Sequence, residues 1–220
     1  ADHGELAWNL GERSVEGFSS PLWVLFLSMI SPFVDVVLGA KILGAIFSYL
    51  SLLRVWQISE RNIVSVLGAS LGIGFQYWAI SGLETSLYCF LLLSSVLSIR
   101  GRASIFWLAL LGLVRPESPL LLLVGVLLLR PQWLKAAALL LPTGLYLLFR
   151  VWYFGEILPN TYFAKATGEP LLQILRGLQY SLIPLVAILF LLKDEIIRRK
   201  EVVLPLLLLA IVIGGGGDWM

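Results

Sequence analysis

Apolar stretches separated by short polar breaks run through almost the whole chain. An α-helix needs about 20 apolar residues to cross a bilayer, because each residue adds about 1.5 Å to a path of about 30 Å. The pattern therefore predicts an all-α fold in which membrane helices pack side by side. The apolar stretches cover residues 36–56, 63–80, 86–99, 103–114, 119–129, 136–152, 171–192 and 202–213.

Two of these stretches, 103–114 and 119–129, are too short to span a membrane. They flank the polar break 115–118, so we expect them to form the arms of a short helical hairpin whose hinge lies part-way into the bilayer. With these arms counted as incomplete, we expect about seven full spanning helices in the bundle.

The polar, glycine-punctuated residues 1–20 are predicted to form a loop on one side of the membrane. Ser20 followed by Pro21 is typical of a helix start, since serine is a favoured N-cap and proline is tolerated at the first helical position. A helix from Pro21 to about Ile30 would be about 15 Å long, half of the hydrocarbon core. We expect it to lie at the interface or to re-enter the membrane.

Composition supports a polytopic membrane protein. Of the 220 residues, 59% are hydrophobic and the mean hydropathy is +0.91, whereas soluble proteins are about 45–50% apolar. We treat 1–220 as one transmembrane domain, with an external loop over 1–20, membrane helices over 21–213 and the start of an external C-terminal region over 214–220. The net charge of +2 and the dispersed basic residues exclude a nucleic-acid partner. Cys89, the single cysteine, excludes a disulfide framework or a thiol metal site.

Lysine and arginine are distributed asymmetrically between the polar breaks. If the helices simply alternate in direction, the basic breaks all fall on one side, which the positive-inside rule identifies as cytoplasmic. The alternate breaks, which carry the acidic and aromatic motifs, would then face the outside. The basic residues of the predicted cytoplasmic breaks are Arg54, Arg61, Arg100, Arg102, Arg130, Lys135, Lys193, Arg198, Arg199 and Lys200.

Arg115, Glu117 and Glu84 are candidate functional residues on the predicted external side. Arg115 and Glu117 put both charges into an apolar hairpin, where ionisable groups are costly and usually functional, although a structural ion pair at a helix break is the alternative. Glu84 either completes a capping box with Ser81, in which it bonds to the Ser81 amide, or has a role that depends on its charge. Arginine suits a phosphate or carboxylate that is bound bidentately.

Other candidates lie in the remaining external breaks. Glu16 belongs to the segment Glu16-Gly-Phe next to the predicted Ser20-Pro21 helix start, and the alternative is a solvated loop residue. Asn160 and Lys165 belong to a polar and aromatic loop between two spanning stretches. The alternative interpretation of this loop is an aromatic belt at the membrane interface. Lys165 could contact lipid headgroups or a substrate phosphate. Asp218 follows four glycines, whose backbone can approach a ligand closely.

Five motifs in order resemble those of bacterial GT-C membrane glycosyltransferases, in particular the arabinofuranosyltransferase-like and mannosyltransferase-like branch. The motifs are residues 9–23, 81–88, 114–117, 153–165 and 216–220. The resemblance implies a multi-pass protein of the bacterial inner membrane that transfers a sugar, with inversion, from a polyprenyl-phosphate donor to a glycan or glycolipid acceptor on the outer face.

The resemblance also implies roles for particular residues. Arg115 and Lys165 would contact the donor phosphate, and Asn160 would also bind substrate. The acidic candidates Glu16, Glu84, Glu117 and Asp218 would shape the acceptor site. In this family the catalytic base belongs to an acidic pair after the first membrane helix, so we expect it upstream of Ala1, and we expect a further domain after residue 220. No cofactor and no resident metal are expected, although a divalent cation is compatible with the chemistry.

Two other classes of function remain open. A transporter or lipid flippase would also carry broken helices and buried charges, but such proteins place their sites near the midplane and often contain internal repeats. We find no repeat in the sequence, and its polar motifs collect on one face. The other alternative is a non-catalytic membrane subunit.

Overall fold

The computed structural model describes residues 16–98, 103–115, 118–119, 122–123, 126 and 133–157. Within these residues the chain forms seven α-helices and no strand, which confirms the predicted all-α class. The helices are α1 (Pro21–Ile30), α2 (Val36–Ile58), α3 (Ile63–Leu71), α4 (Ile73–Ile80), α5 (Thr85–Leu97), α6 (Ala103–Leu111) and α7 (Trp133–Phe154).

Two of the described helices are long and apolar enough to cross a membrane, namely Val36–Ile58 in α2 and Leu134–Phe154 in α7. The bent pair of α3 and α4 counts as a third if it forms one span. The chain is therefore compatible with a membrane protein. The predicted bundle of about seven spans stays a prediction, and its stretches 171–192 and 202–213 lie outside the described residues.

Helix α1 begins and ends where the sequence predicts. Pro21 occupies the first turn, and Ser20 is the N-cap residue. The Ser20 hydroxyl makes no capping hydrogen bond, however, so the expected side-chain cap is absent. The Leu22 amide instead donates to the carbonyl of Leu113 at 3.1 Å, which satisfies one free N–H of the first helical turn from outside the helix.

The apolar stretch 63–80 forms two helices and not one continuous helix. The chain breaks between α3 and α4, and the two helices meet at an angle of 68°. The break lies at Gly72, whose backbone is extended (φ −60°, ψ 120°) and not helical. The side-chain amide of Gln76 donates to the Ser70 carbonyl at 3.1 Å and so satisfies a backbone group near the break.

Helices α2 and α5 run parallel and form the centre of the described bundle. Ser48 of α2 bonds to Ser86 of α5 at 3.0 Å, and Arg54 of α2 bonds to Ser94 of α5 at 3.1 Å. The later residue of one helix thus pairs with the later residue of the other, as in parallel helices. The main core fills the space between these two helices, α1 and the end of α6. Its buried hydrophobic residues are Leu22, Trp23, Ala40, Leu87, Phe90, Leu91, Leu111 and Val114.

Gly44 permits the close approach of α2 to the end of α4. A Cβ atom at this position would lie 2.7 Å from the backbone carbonyl oxygen of Ala79. We expect Gly44→Ala to destabilise the protein by about 1–3 kcal/mol, because a backbone atom cannot move aside without shifting α4. Thermal unfolding in detergent measures this effect. Gly68→Ala in α3 is the control: its new Cβ would meet nothing within 4 Å, so a loss equal to that of Gly44→Ala would contradict the packing argument.

The other helix ends differ modestly from the predicted ones. Helix α5 has 13 residues and is about 20 Å long, which is less than a bilayer core. Helix α6 ends at Leu111, short of the predicted position 114, and α7 extends the predicted stretch 136–152 at both ends. Pro142 lies inside α7. Of the second hairpin arm, the described positions 119, 122, 123 and 126 are helical.

Candidate functional site

The segment 16–23 joins the ends of three helical elements at one end of the described bundle. The Leu22 amide bonds to Leu113 just after α6, and the indole N–H of Trp23 donates to the carbonyl of Gly82, before α5, at 3.2 Å. Phe18 packs edge-on against Phe154 at the end of α7, with ring centroids 6.2 Å apart. We call this end of the bundle the polar end.

Glu16, Tyr146 and Arg150 form a buried group at the polar end, which we call the Glu16 cluster. The Tyr146 hydroxyl donates to Oε1 of Glu16, and Nη2 of Arg150 donates to the same oxygen at 3.1 Å. The Arg150 guanidinium also lies over the Tyr146 ring, 5.0 Å from its centroid. The side chains of Glu16 and Arg150 are only 2% and 5% exposed, so water screens this ion pair very little.

The second pair of charged atoms in the cluster is close but poorly aligned. Nε of Arg150 lies 2.8 Å from Oε2 of Glu16, yet neither atom has a hydrogen-bond partner in the described structure. The contact is therefore a charge–charge contact and not a directed hydrogen bond. Nη1 of Arg150 donates to the carbonyl of Ile157 at 3.0 Å, so one guanidinium contacts both the segment 16–23 and the main chain beyond α7.

The turn after α7 depends on Gly155. Its φ of 79° lies in the left-handed region, which glycine adopts without the Cβ penalty. The Gly155 amide bonds back to Val151, and the chain then reverses so that the Ile157 carbonyl reaches Arg150.

Arg150 and Tyr146 were not singled out by the sequence analysis, which treated 136–152 as an apolar span. Two signals in the sequence were available. A lone arginine within a membrane stretch indicates a buried partner or a functional site. Tyr146 and Arg150 are also four residues apart, which places them on the same helix face. The acidic partner of Arg150 could not be predicted from the sequence, because Glu16 lies 134 positions away.

Arg115 occupies a second charged site at the polar end. Its Nη2 donates to the Thr85 hydroxyl at 3.2 Å and lies 3.8 Å from Oε1 of Glu84. The guanidinium also lies over the Tyr88 ring, 5.4 Å from its centroid. The side chains of Arg115 and Glu84 are 17% and 19% exposed, respectively. Arg115 is thus held in a defined orientation without being fully enclosed.

Of the two interpretations left open for Glu84, the structure contradicts the capping box with Ser81. Helix α5 begins at Thr85, and its N-cap residue Glu84 makes no side-chain capping bond. The Ser81 hydroxyl donates to the Trp78 carbonyl at 3.1 Å and accepts from the Leu83 amide at 3.3 Å. A capping box would require a right-handed first turn after Ser81, whereas Gly82 has a φ of 78°. Glu84 is therefore available to Arg115.

The structure places three of the predicted site residues at the polar end. Glu84 and Arg115 lie next to each other there, and Glu16 lies in the cluster with Arg150. Substrate binding by these residues stays a prediction. The other four predicted site residues lie outside the described residues, and their roles stay predictions as well: Glu117, Asn160, Lys165 and Asp218.

The described residues contain no group of three or more histidine, cysteine, aspartate or glutamate side chains that could hold a metal ion. Comparison of the chain with known protein families, curated proteins and solved structures finds no match. A functional assignment must therefore rest on the residues at the polar end and on their chemistry.

The two charged sites at the polar end have different chemical possibilities. In the Glu16 cluster the carboxylate and the guanidinium are buried and engaged with each other, which suits a role in fixing the chain. Arg115 and Glu84 keep accessible surface and are separated by more than a hydrogen-bond distance. A partly exposed, oriented guanidinium can bind an anion such as a phosphate bidentately, and a neighbouring carboxylate can accept a hydrogen bond from a hydroxyl group.

Proposed function

We propose that this protein is a membrane glycosyltransferase, which transfers a sugar from a polyprenyl-phosphate lipid to a glycan or glycolipid acceptor on the outer face of a bacterial inner membrane. The proposal rests on the orientation and partial accessibility of the Arg115 side chain. It is oriented by Thr85 and Glu84 and stacked over Tyr88, at an end of an apolar bundle, with part of its surface accessible.

The reaction explains why such an arginine is needed. The bond between the sugar C1 and the phosphate oxygen breaks, and its electron pair leaves with the polyprenyl phosphate. A new bond forms between C1 and the acceptor oxygen, and a carboxylate takes the hydroxyl proton. Negative charge grows on the phosphate in the transition state, where an oriented cation stabilises it most. Arg115 supplies that cation, and Lys165 is a second candidate from the sequence.

Among the acidic residues, Glu84 and Glu16 are suited to different roles. Glu84 is adjacent to Arg115 and partly accessible, so it can contact the sugar or the acceptor near the phosphate. Glu16 is buried and already accepts bonds from Tyr146 and Arg150, so its carboxylate is not free to reach a substrate. We therefore assign Glu16 to the support of the site and keep Glu84 beside the substrate.

The break between α3 and α4 favours one rival function. Broken membrane helices with exposed backbone groups are typical of transporters, which bind substrates at such breaks. The bend of 68° at Gly72 would suit a transporter or a lipid flippase. The bend says less about the chemistry of a bound molecule than Arg115 does, because the described residues around the bend are mostly apolar.

An assay in proteoliposomes distinguishes these functions. The full-length protein is supplied with polyprenyl phosphate that carries radiolabelled arabinofuranose or mannose, together with a glycan acceptor. We expect the label to move to the acceptor while free polyprenyl phosphate accumulates. Movement of the intact sugar lipid across the bilayer, without cleavage, would identify a flippase. No transfer with either donor and no lipid movement would leave a non-catalytic subunit as the function.

A further inference from the structure

We propose that Arg150 is a positioning residue for Arg115, and that it acts through Glu16 and the segment 16–23. Neither the sequence pattern nor the proposed reaction assigns a role to Arg150. It is only 4% exposed as a whole residue, and its guanidinium is directed at protein atoms. A substrate could not reach this guanidinium without displacing Glu16.

Arg150 and Tyr146 together hold the Glu16 carboxylate in place. The Arg150 guanidinium contacts both carboxylate oxygens of Glu16, at 2.8 Å and 3.1 Å, and the Tyr146 hydroxyl donates to one of them. The two hydrogen bonds to Oε1, from Nη2 of Arg150 and from Tyr146, orient the carboxylate, and the weakly screened charge pair adds energy. The start of the segment 16–23 is thereby held against α7.

The segment 16–23 contacts the main chain near both Arg115 and Glu84. Leu22 bonds to the Leu113 carbonyl, two residues before Arg115 in the sequence. Trp23 bonds to the Gly82 carbonyl, two residues before Glu84. The segment therefore contacts the backbone beside both members of the Arg115–Glu84 pair, and a shift of the segment would move the two charges relative to each other.

The geometry of the guanidinium explains why arginine is needed at position 150. Nη1 donates to the Ile157 carbonyl while Nη2 donates to Glu16, so the planar fork joins two chain segments at a fixed separation. Lysine has the same charge but presents a single ammonium group on a flexible stem. It could neutralise Glu16 without holding both segments in place. The geometry of the fork, and not its charge alone, is the property that the proposal requires.

The positional claim can be tested without any enzyme assay. Spin labels are attached at Leu83→Cys and Ile157→Cys, two exposed positions, in the full-length protein with Cys89→Ala. The distance distribution between the labels is measured by pulsed electron paramagnetic resonance. We expect a narrow distribution in the parent protein and a broader or shifted one when Arg150→Lys is added. An unchanged distribution would overturn the proposal.

Arg54→Lys is the matched control for this measurement. Arg54 also joins helices through its guanidinium, with bonds to Ser94 and Gln57. It lies at the opposite end of α2 and α5, away from the segment 16–23. The same substitution there should leave the distance between the two labels unchanged, and a broadening equal to that of Arg150→Lys would mean that the fold as a whole has loosened.

A second variant covers the case in which Arg150→Lys fails to fold. Glu16→Gln combined with Arg150→Met removes both buried charges, so no unpaired charge remains inside the protein. It also removes the fork, so we expect the same broadening in a folded protein. A narrow, unshifted distribution in this double variant would equally overturn the proposal.

The link to turnover rests on the glycosyl transfer proposed above. We expect Arg150→Lys to lower kcat/KM by about 100-fold, the usual cost of a displacement of about 1 Å in a reacting site. Because Arg150 acts through Arg115, Arg150→Lys should add little to the loss already caused by Arg115→Lys. Additive losses would contradict the positioning role. If the parent protein transfers no sugar but the distance broadens, the proposed function fails and the positional claim stands.

Discussion

Arg150→Met is expected to destabilise the folded protein by about 3–5 kcal/mol, because removal of one partner leaves an uncompensated charge in the interior. Glu16 has a side chain that is 2% exposed, so water cannot replace the missing guanidinium without opening the structure. The Ile157 carbonyl would lose its hydrogen bond as well. Thermal unfolding in a mild detergent, together with denaturant titration, would measure the loss.

The double variant Glu16→Gln and Arg150→Met is the matched control for this prediction. A buried ion pair contributes little net stability, because the desolvation of both charges offsets most of their attraction. We therefore expect the double variant to recover most of the stability that Arg150→Met loses. If the double variant were as unstable as the single one, the cost would come from lost packing of the long arginine side chain and not from the unpaired carboxylate.

Local signals in the sequence predicted the early helices well. The bounds of α1 follow from Ser20 and Pro21 at one end and from the loss of the apolar pattern at the other, and both signals lie within a few residues. The apolar stretch 36–56 begins at the first residue of α2, where the structure shows the Asp35 side chain accepting a hydrogen bond from the Leu38 amide. In these places sequence neighbours indicate where a helix begins, although the start of α1 is completed from outside the helix by the Leu113 carbonyl.

The errors lie where a local signal has two solutions. A glycine inside an apolar stretch is compatible with a continuous helix or with a break, and the structure shows a break at the extended Gly72. The sequence Ser81-Gly-Leu-Glu84 fits a capping box, but it also fits a turn in which the serine hydroxyl bonds to neighbouring backbone groups. The left-handed Gly82 made the second solution the one observed.

The pairing of charges at the polar end could not be predicted from the sequence. The sequence placed Arg115 and Glu117 in one hairpin, and Glu117 lies outside the described residues. The described partners of Arg115 belong to α5 and the turn before it, 30 positions away in the case of Thr85. Glu16 pairs with Arg150 across most of the described chain. Such contacts depend on how α1, α6 and α7 pack, and no periodicity or motif encodes that arrangement.

Arg115→Lys is expected to lower kcat/KM by about ten- to hundred-fold, since charge-assisted hydrogen bonds contribute about 1.5–3 kcal/mol. Lysine keeps the positive charge but loses the planar fork, so it cannot bind a phosphate bidentately while bonding to Thr85. We expect insertion into the membrane to be unaffected. Initial rates with the polyprenyl-phosphate donor, measured at several donor concentrations, would give the effect on kcat and on KM separately.

Thr85→Val separates a structural role of Arg115 from a role in binding phosphate. This variant removes the hydroxyl that accepts from Nη2 at 3.2 Å, and it leaves the guanidinium, the Glu84 contact and the stacking on Tyr88 in place. If Arg115 only joins α5 to the end of α6, both variants should lose similar stability, and activity should follow stability in each. If Arg115 binds the phosphate, Arg115→Lys should lose far more activity than Thr85→Val at a comparable unfolding temperature. Equal activity losses that track stability would return Arg115 to a purely structural role and remove the observation on which the proposed function depends.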